Sequence, residues 1–131
     1  MAGWIHHLDV TVTDLAASTA FYERLMPLFG FQRIPDTASG EPLWRGDRTE
    51  LCLMRAQPES MRPHDRYSPG LHHLAFGAPT REDVDRVHRE LVALGVKILD
   101  PPAQYDEYGI GYYAVFFADP DGIKLEYVYT P

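Results

Sequence analysis

Two short stretches of the chain alternate between apolar and polar positions, and their sequences are similar. The first, WIHHLDV, covers residues 4–10, and the second, GLHHLAF, covers residues 70–76. A period of two predicts β-strands whose neighbouring side chains point to opposite faces. His73 follows His7 by 66 positions (73 − 7 = 66), and Gly95 follows Gly30 by 65 (95 − 30 = 65). The spacing therefore predicts two halves that repeat one structural unit.

Each of these strands is followed by a helical pattern and then by several short apolar runs. Asp14 is placed to cap the first helix, which Pro27 should loosen in its last turn and Gly30 should end. Thr80 and Gly95 delimit the second helix in the same way. The predicted strands after the helices cover 31–34, 42–45 and 49–54 in the first half, and 96–99, 112–118 and 123–129 in the second, with a loop over 100–111.

The predicted order of strand, helix and three strands thus occurs twice in 131 residues. We expect one α+β domain, with a first module over about residues 1–56 and a second over about 71–131. The segment 57–70 contains three prolines and no periodicity, which predicts a connector between the modules.

Strand alternation selects one histidine and one glutamate in each half. His7 and His73 fall on the polar face of their strands, and Glu50 and Glu126 lie opposite the apolar residues of theirs. Each of the four alone is better interpreted as an ordinary strand-start histidine or a solvated charge. Their joint recurrence, with the same residue type, the same parity and the same place in each repeat, instead favours a site for one divalent metal of borderline hardness, such as Ni, Co, Zn, Mn or Fe.

Composition narrows the classes of partner. The chain has 19 acidic and 12 basic side chains, a net charge of −7 and no basic stripe, so nucleic acid is not an expected partner. The longest apolar run, 112–118, is far shorter than the roughly 20 residues that span a bilayer, and residues 1–25 lack an export signal. We therefore expect a cytoplasmic protein without a membrane partner. The single cysteine, Cys52, excludes an intrachain disulfide and is expected to be a small strand residue.

Two segments carry a resemblance to a known family. HHLDVTVTDLAASTAFYERLMPLFGF near the beginning and FADPDGIKLEYV near the end resemble the vicinal oxygen chelate superfamily, also called the glyoxalase/bleomycin resistance/dioxygenase superfamily. The resemblance spans nearly the whole chain. It implies two βαβββ modules that form a curled mixed sheet around a metal-bearing cup. Carried over residue by residue, the family's metal ligands fall on His7, Glu50, His73 and Glu126.

The resemblance implies several functions rather than one. Four ligands with two carboxylates are similar to glyoxalase I, a metal-dependent lyase or isomerase that acts on a small substrate with vicinal oxygens. In that interpretation Glu126, ahead of Glu50, is the catalytic base, and a glutathione adduct is one candidate substrate. Arg24, Arg33, Arg45 and Arg66 are available to hold the carboxylates of glutathione.

Two alternatives remain open at this point. Without Glu50, the set His7, His73 and Glu126 resembles the metal site of extradiol-type dioxygenases and of thiol transferases. The other alternative is a metal-free protein that sequesters a drug, in the manner of bleomycin resistance proteins, in an aromatic groove. Such a groove would be lined by Trp44, Tyr105, Tyr108, Tyr112 and Tyr113. The resemblance also implies a homodimer, since family members commonly complete their sites by pairing modules.

Overall fold

The computed structural model describes residues 2–131 and divides them into two units. The first unit ends at Arg62 and the second begins at Pro63, so the boundary lies inside the predicted connector. Each unit contains a strand, a helix and three further strands, and each has a mixed four-stranded sheet. The predicted α+β class with two βαβββ modules is confirmed.

The first unit has its strands in the order β1-β4-β3-β2. β1 runs parallel to β4, and the other neighbours are antiparallel. Its elements are β1 His7–Val12, α1 Leu15–Leu25, β2 Gln32–Ile34, β3 Leu43–Arg45 and β4 Glu50–Arg55, with 3₁₀ turns at Met26–Phe29 and Pro58–Ser60.

Helix α1 begins and ends where its sequence predicts. The Asp14 carboxylate accepts a hydrogen bond from the Ala17 backbone N–H at 3.0 Å, which satisfies one of the free donors of the first turn. The helix tightens into a 3₁₀ turn at Met26 because Pro27 lacks a backbone donor, and Gly30 ends it with φ of 81°. The buried side of α1 presents Tyr22, whose ring lies 6.2 Å from that of Trp44.

The second unit repeats this layout with the order β5-β8-β7-β6. β5 runs parallel to β8, and β7 is antiparallel to both of its neighbours. Its elements are β5 His73–Gly77, α2 Arg81–Ala93, β6 Lys97–Gln104, β7 Tyr113–Ala118 and β8 Lys124–Tyr129, with a 3₁₀ turn at Asp106–Tyr108.

Strand β6 is longer than predicted. The expected loop over 100–111 begins only after Gln104, because the strand continues through Pro101 and Pro102. β6 is an edge strand that pairs only with β7, and edge strands tolerate residues that lack a ladder donor. The pairing with β7 shifts register between Ile98 and Ala103, so the prolines lie in the irregular part of the ladder.

The turn between β7 and β8 fixes the register of the strand that carries Glu126. The Asp119 carboxylate accepts hydrogen bonds from the backbone N–H groups of Asp121 and Ile123, both at 2.9 Å, and Gly122 has φ of 77°. Phe116 is therefore the cross-strand partner of Glu126. None of the helices within residues 2–131 is both long and apolar enough to cross a bilayer.

Candidate metal centre

His73 and Glu126 meet on adjacent parallel strands of the second unit. His73 Nε2 lies 3.0 Å from Glu126 Oε2, although the two residues are 53 positions apart. Glu126 is only 1% exposed, so it is a buried carboxylate rather than the solvated charge that its polar face first indicated. A buried carboxylate requires partners that replace its water. The His73 imidazole supplies one of them.

Tyr112 supplies the partner of the other carboxylate oxygen. Tyr112 directly precedes β7, and its hydroxyl donates a hydrogen bond to Glu126 Oε1. Burial raises the pKa of the Tyr112 phenol, and the hydrogen bond to the Glu126 carboxylate raises it further. The phenol therefore stays protonated and remains a donor at physiological pH. Both oxygens of Glu126 are held in place by side chains of the same unit.

Each histidine doublet forms a contact between its two rings. The Nδ1 atoms of His72 and His73 lie 2.8 Å apart, and those of His6 and His7 lie 3.0 Å apart. Because the contact within the doublet uses Nδ1, the other ring nitrogen of the second histidine, Nε2, points away from the doublet. In His73 this is the nitrogen that faces Glu126. Partners of this kind orient histidines that bind metals. The first histidine of each doublet is thus positioned to orient the second.

In the first unit, His7 and Glu50 are cross-strand partners on β1 and β4. Glu50 Oε1 accepts hydrogen bonds from Arg45 Nε at 2.9 Å and from Arg45 Nη2 at 2.5 Å. These hydrogen bonds lower the pKa of the Glu50 carboxyl below its usual value. Glu50 is therefore held as an ionised carboxylate that already has a cationic partner.

Each glutamate lies on the polar face of its own strand, but the two glutamates do not occupy the same place in the repeat. His7 is opposite Glu50, whereas His73 is opposite Lys124, and Glu126 comes two residues later, opposite Ala75. The residue of β4 that corresponds to Glu126 is Cys52, opposite Asp9. Sequence alternation gives the face of a residue but not its register, which is why the expectation of equivalent glutamates was wrong.

Cys52 is a poor substitute for that carboxylate. It is buried, and desolvation raises the pKa of its thiol, so the thiolate that a metal needs is disfavoured. Its sulfur lies 3.9 Å from Met54 Sδ and 3.8 Å from the Leu53 carbonyl oxygen. Cys52 is accordingly the small strand residue that the sequence predicted, within a partly apolar patch of the first sheet.

The four predicted donors therefore occur as two pairs, His7 with Glu50 and His73 with Glu126. Across residues 2–131, His, Cys, Asp and Glu side chains form no group of three or more that could hold a metal ion. The second pair nevertheless fits a cation. Zn²⁺ binds imidazole nitrogen and carboxylate oxygen at roughly 2.0–2.2 Å, so two ligands of one ion have donor atoms roughly 3 Å apart. The separation of 3.0 Å between His73 and Glu126 matches that requirement.

A continuous aromatic cluster lies beside this pair. The ring of Phe116 is 6.3 Å from that of His73 and 5.5 Å from that of Tyr105. Tyr105 stacks on Tyr108 at 5.7 Å, and Tyr108 meets Tyr112 at 5.4 Å. We call these four rings, Phe116, Tyr105, Tyr108 and Tyr112, the aromatic wall.

Two residues of the predicted aromatic groove lie elsewhere. Trp44 is fully buried in the core of the first unit, so the expectation that it lines a groove was wrong. The Tyr113 hydroxyl donates a hydrogen bond to Asp85 of helix α2 at 2.6 Å. Tyr113 therefore connects the sheet to the helix and is not part of the aromatic wall.

Sequence reasoning missed three residues near the pair: Tyr112 as a partner of Glu126, Phe116 as its cross-strand neighbour, and Lys124. Lys124 shares the parity of Glu126, so alternation already placed it on the same face of β8. The hairpin turn at 119–122 was also recognisable, and counting back from it leads to Phe116. The Tyr112 contact had no such signal, because Tyr112 lies just outside β7 and its direction depends on the loop before it.

A comparison with family models assigns the chain to a known group. The model described as the Glyoxalase/Bleomycin resistance protein/Dioxygenase superfamily matches residues 4–127. The chain belongs to this superfamily. Members of the glyoxalase/bleomycin resistance superfamily differ in chemistry, so membership establishes the fold and not the reaction.

Individual relatives give the same result over nearly the full chain. YqjT of Bacillus subtilis, an uncharacterized protein, is 35% identical over 95% of this chain and 97% of its own. The metallothiol transferase FosB of Lysinibacillus sphaericus is 33% identical over 94% of this chain and 79% of its own. A solved structure from Bacillus halodurans has a TM-score of 0.82 and 30% identity, with coverage of 98% of this chain and 96% of that one.

Proposed function

We propose that this protein is a divalent-metal-dependent enzyme that acts on a small substrate with vicinal oxygens, in a lyase or isomerase reaction. The observation that carries the proposal is the contact of His73 with the buried Glu126 at 3.0 Å, a donor pair with the spacing and chemistry of a metal site. His7 of the first unit is proposed as a third ligand and Glu50 as a fourth. A divalent metal bound there would polarise oxygens of the substrate.

The proton transfer is assigned to Glu126 ahead of Glu50. A base works best when its pKa is near the working pH, and the Arg45 hydrogen bonds lower the pKa of Glu50 away from that range. With Glu50 remaining as the carboxylate ligand, Glu126 would use Oε2 to take a proton from the carbon next to the substrate carbonyl and to return it to the neighbouring carbon. Tyr112 donates to Glu126 Oε1 and would keep the carboxylate oriented during both transfers. Proton transfer of this kind typically contributes about a hundred-fold to ten-thousand-fold in rate.

A thiol transferase is the second candidate, and a specific observation favours it. Glu50 is bound to Arg45 and stands two residues away from the place that corresponds to Glu126. Removing Glu50 from the ligand set leaves His7, His73 and Glu126, the three-ligand arrangement that fits a transferase or a dioxygenase. Similarity to the metallothiol transferase FosB over 94% of the chain supports the transferase.

The substrate is proposed to be a small molecule, and a glutathione adduct has become a weaker candidate. Arg33 is paired with Glu23 and with Asp36, and Arg45 is paired with Glu50. Two of the four arginines that could hold glutathione carboxylates therefore already have acidic partners.

The first prediction concerns metal content. Protein purified without a histidine tag should hold about one divalent ion per chain, measured by mass spectrometry of the metal. His73→Ala and Glu126→Ala should lose most of it, because each removes one of two adjacent donors. His88→Ala, on helix α2, is the matched control and should retain the ion. Equal metal content in His73→Ala and His88→Ala would refute the metal site.

The same variants separate the two reactions. Glu50→Gln should reduce metal affinity if Glu50 is the fourth ligand, and should leave it unchanged if three ligands suffice. The metal-loaded protein is then offered a hemithioacetal, fosfomycin with a thiol, and a catechol with oxygen. Turnover of the hemithioacetal that collapses in Glu126→Gln supports the isomerase, thiol addition to fosfomycin supports the transferase, and oxygen consumption supports the dioxygenase. Tight binding of an aromatic drug by metal-free protein, with none of these activities, would support the sequestering protein instead.

A further inference from the structure

Lys124 is the first residue of β8 and lies on the face of this strand that carries Glu126. It is the cross-strand partner of His73 and precedes Glu126 by two residues, so the three side chains share one side of the sheet. Its ammonium nitrogen lies 4.4 Å from the centre of the Phe116 ring. Phe116 is in turn the cross-strand partner of Glu126. The cation therefore lies against the aromatic wall, beside the proposed metal pair.

The charge of Lys124 has no acidic partner within the part of the chain that the structure describes. Its ammonium is not within ion-pair distance of a carboxylate in residues 2–131, whereas Arg33, Arg45 and Arg86 each have an acidic partner. An unpaired ammonium held over an aromatic ring is available to an anion from solution.

We propose that Lys124 binds an oxyanion group of the substrate, a carboxylate or a phosphonate, while an apolar or aromatic part of the substrate lies on the aromatic wall. This inference rests on the proposed function, because it names the substrate class of the same site. An oxyanion held by Lys124 would place the neighbouring atoms of a small substrate close to His73 and Glu126. Compact anions suit a lysine, which acts as a point charge rather than a bidentate fork.

A purely structural role for Lys124 has a different signature. The methylene stem of a lysine can cover an aromatic ring while its ammonium remains in water. Lys124→Met keeps most of this apolar cover and removes the charge, whereas Lys124→Arg keeps a charge. The chain contains only one other lysine, Lys97 at the start of β6, which serves as the matched control.

The experiment measures binding of phenylphosphonate, benzoate and neutral benzamide by calorimetry, with a chelator present so that no probe binds through a metal. The wild type should bind the two anions more tightly than benzamide. Lys124→Met should weaken anion binding at least about tenfold and leave benzamide unchanged. Lys124→Arg should remain within a few-fold of the wild type, and Lys97→Met should match it. A comparison of phenylphosphonate with benzoate identifies which oxyanion the site prefers.

Two results would overturn the inference: anion affinity that survives in Lys124→Met, or anions that bind the wild type no better than benzamide does. Metal content, measured separately on the same proteins, distinguishes this failure from failure of the proposed function. A protein that binds metal through His73 and Glu126 but not the anions retains the proposed function and loses this inference. Anion binding that depends on Lys124 in a protein without metal affinity supports an oxyanion site and refutes the metal enzyme.

Discussion

At the scale of single residues, the proposed site depends most on how Glu126 is held. A carboxylate that is 1% exposed has lost nearly all of its water, and two donors, His73 of β5 and Tyr112 just before β7, replace it. A hydrogen bond to a charged group contributes about 1.5–3 kcal/mol, roughly twice the contribution of a neutral one. Tyr112 and His73 together therefore make a buried charge tolerable, and they fix the orientation of its two oxygens.

The Tyr112 contact gives a prediction about both stability and metal binding. Tyr112→Phe leaves Glu126 Oε1 without its donor, so the free energy of unfolding should fall by about 1–3 kcal/mol at neutral pH. Metal affinity should fall by about tenfold, because hydrogen-bond partners orient metal ligands. Urea unfolding and metal titration measure the two effects.

Tyr108→Phe is the control for this prediction. Tyr108 belongs to the same aromatic wall, but it is largely exposed, so loss of its hydroxyl should change neither quantity. A double-mutant cycle with Glu126→Gln attributes the effect to the contact, since the two changes should not be additive. Additive changes would mean that Tyr112 does not act through Glu126.

Sequence alternation predicted the face of Glu126 correctly but not its burial. Alternation gives direction alone, whereas burial depends on what covers that face, and Tyr112 and Phe116 come from a different strand and loop. For His7 and its neighbours the polar face is exposed, as alternation alone predicts. The same signal thus had different outcomes in the two halves because the covering residues differ.

At the scale of elements, the hydrogen bond between Tyr113 and Asp85 connects β7 to helix α2. The Asp85 carboxylate accepts a hydrogen bond from the Tyr113 hydroxyl at 2.6 Å and raises the pKa of the phenol, with burial adding to the effect. A folded-state pKa above the unfolded value of about 10 means that the stabilisation is complete below pH 10. It is lost as the pH rises through the folded-state pKa, because the ionised phenol no longer donates.

The raised pKa of Tyr113 predicts that the stability difference between the wild type and Tyr113→Phe depends on pH. At pH 7 and pH 9, Tyr113→Phe should lower the free energy of unfolding by about 1 kcal/mol relative to the wild type. At pH values above the folded-state pKa the difference should disappear. Urea unfolding at several pH values measures it, with Tyr129→Phe as a control for loss of a tyrosine hydroxyl on β8. A difference that is constant up to the alkaline limit of folding would contradict the assignment.

Elements whose ends carry capping residues or turns were predicted well, and β6 was not. Asp14, Thr80 and the turn 119–122 act through local hydrogen bonds, which the sequence encodes directly. The extension of β6 through Pro101 and Pro102 depends on its position at the sheet edge. Edge position is a property of the tertiary structure, so a local pattern that contains two prolines predicted a loop.

At the scale of the whole molecule, two similar modules have diverged where chemistry is expected. The second module has a buried carboxylate at Glu126 where the first has the buried thiol Cys52. The first module instead has Glu50, at the register position of Lys124 in the second. The two modules thus keep the histidine doublets but differ in the charged residues of the neighbouring strand.

The strands that begin at His7 and His73 are both sheet edges, which predicts association between chains. Within residues 2–131, β1 and β5 each pair with a strand on one side only. Ile5, two residues before β1, is 61% exposed, and Leu71, two residues before β5, is also exposed. Free strand edges next to exposed apolar side chains are typical of surfaces that bind another chain. We therefore expect a homodimer with a mass about twice the 14.9 kDa of one chain.

Light scattering during size-exclusion chromatography at micromolar concentration tests this expectation. Ile5→Lys places a charge beside the β1 edge and should shift the mass toward the monomer, because burying an unpaired ammonium costs more than the association gains. Ile110→Lys is the matched control: Ile110 is 90% exposed but belongs to the loop before β7 and to neither edge strand, so its charge should leave the mass unchanged. A wild-type monomer that still binds one metal ion per chain would show that the site needs no second copy. If Ile110→Lys dissociates the dimer and Ile5→Lys does not, the interface lies at the loop before β7 and not at the strand edge.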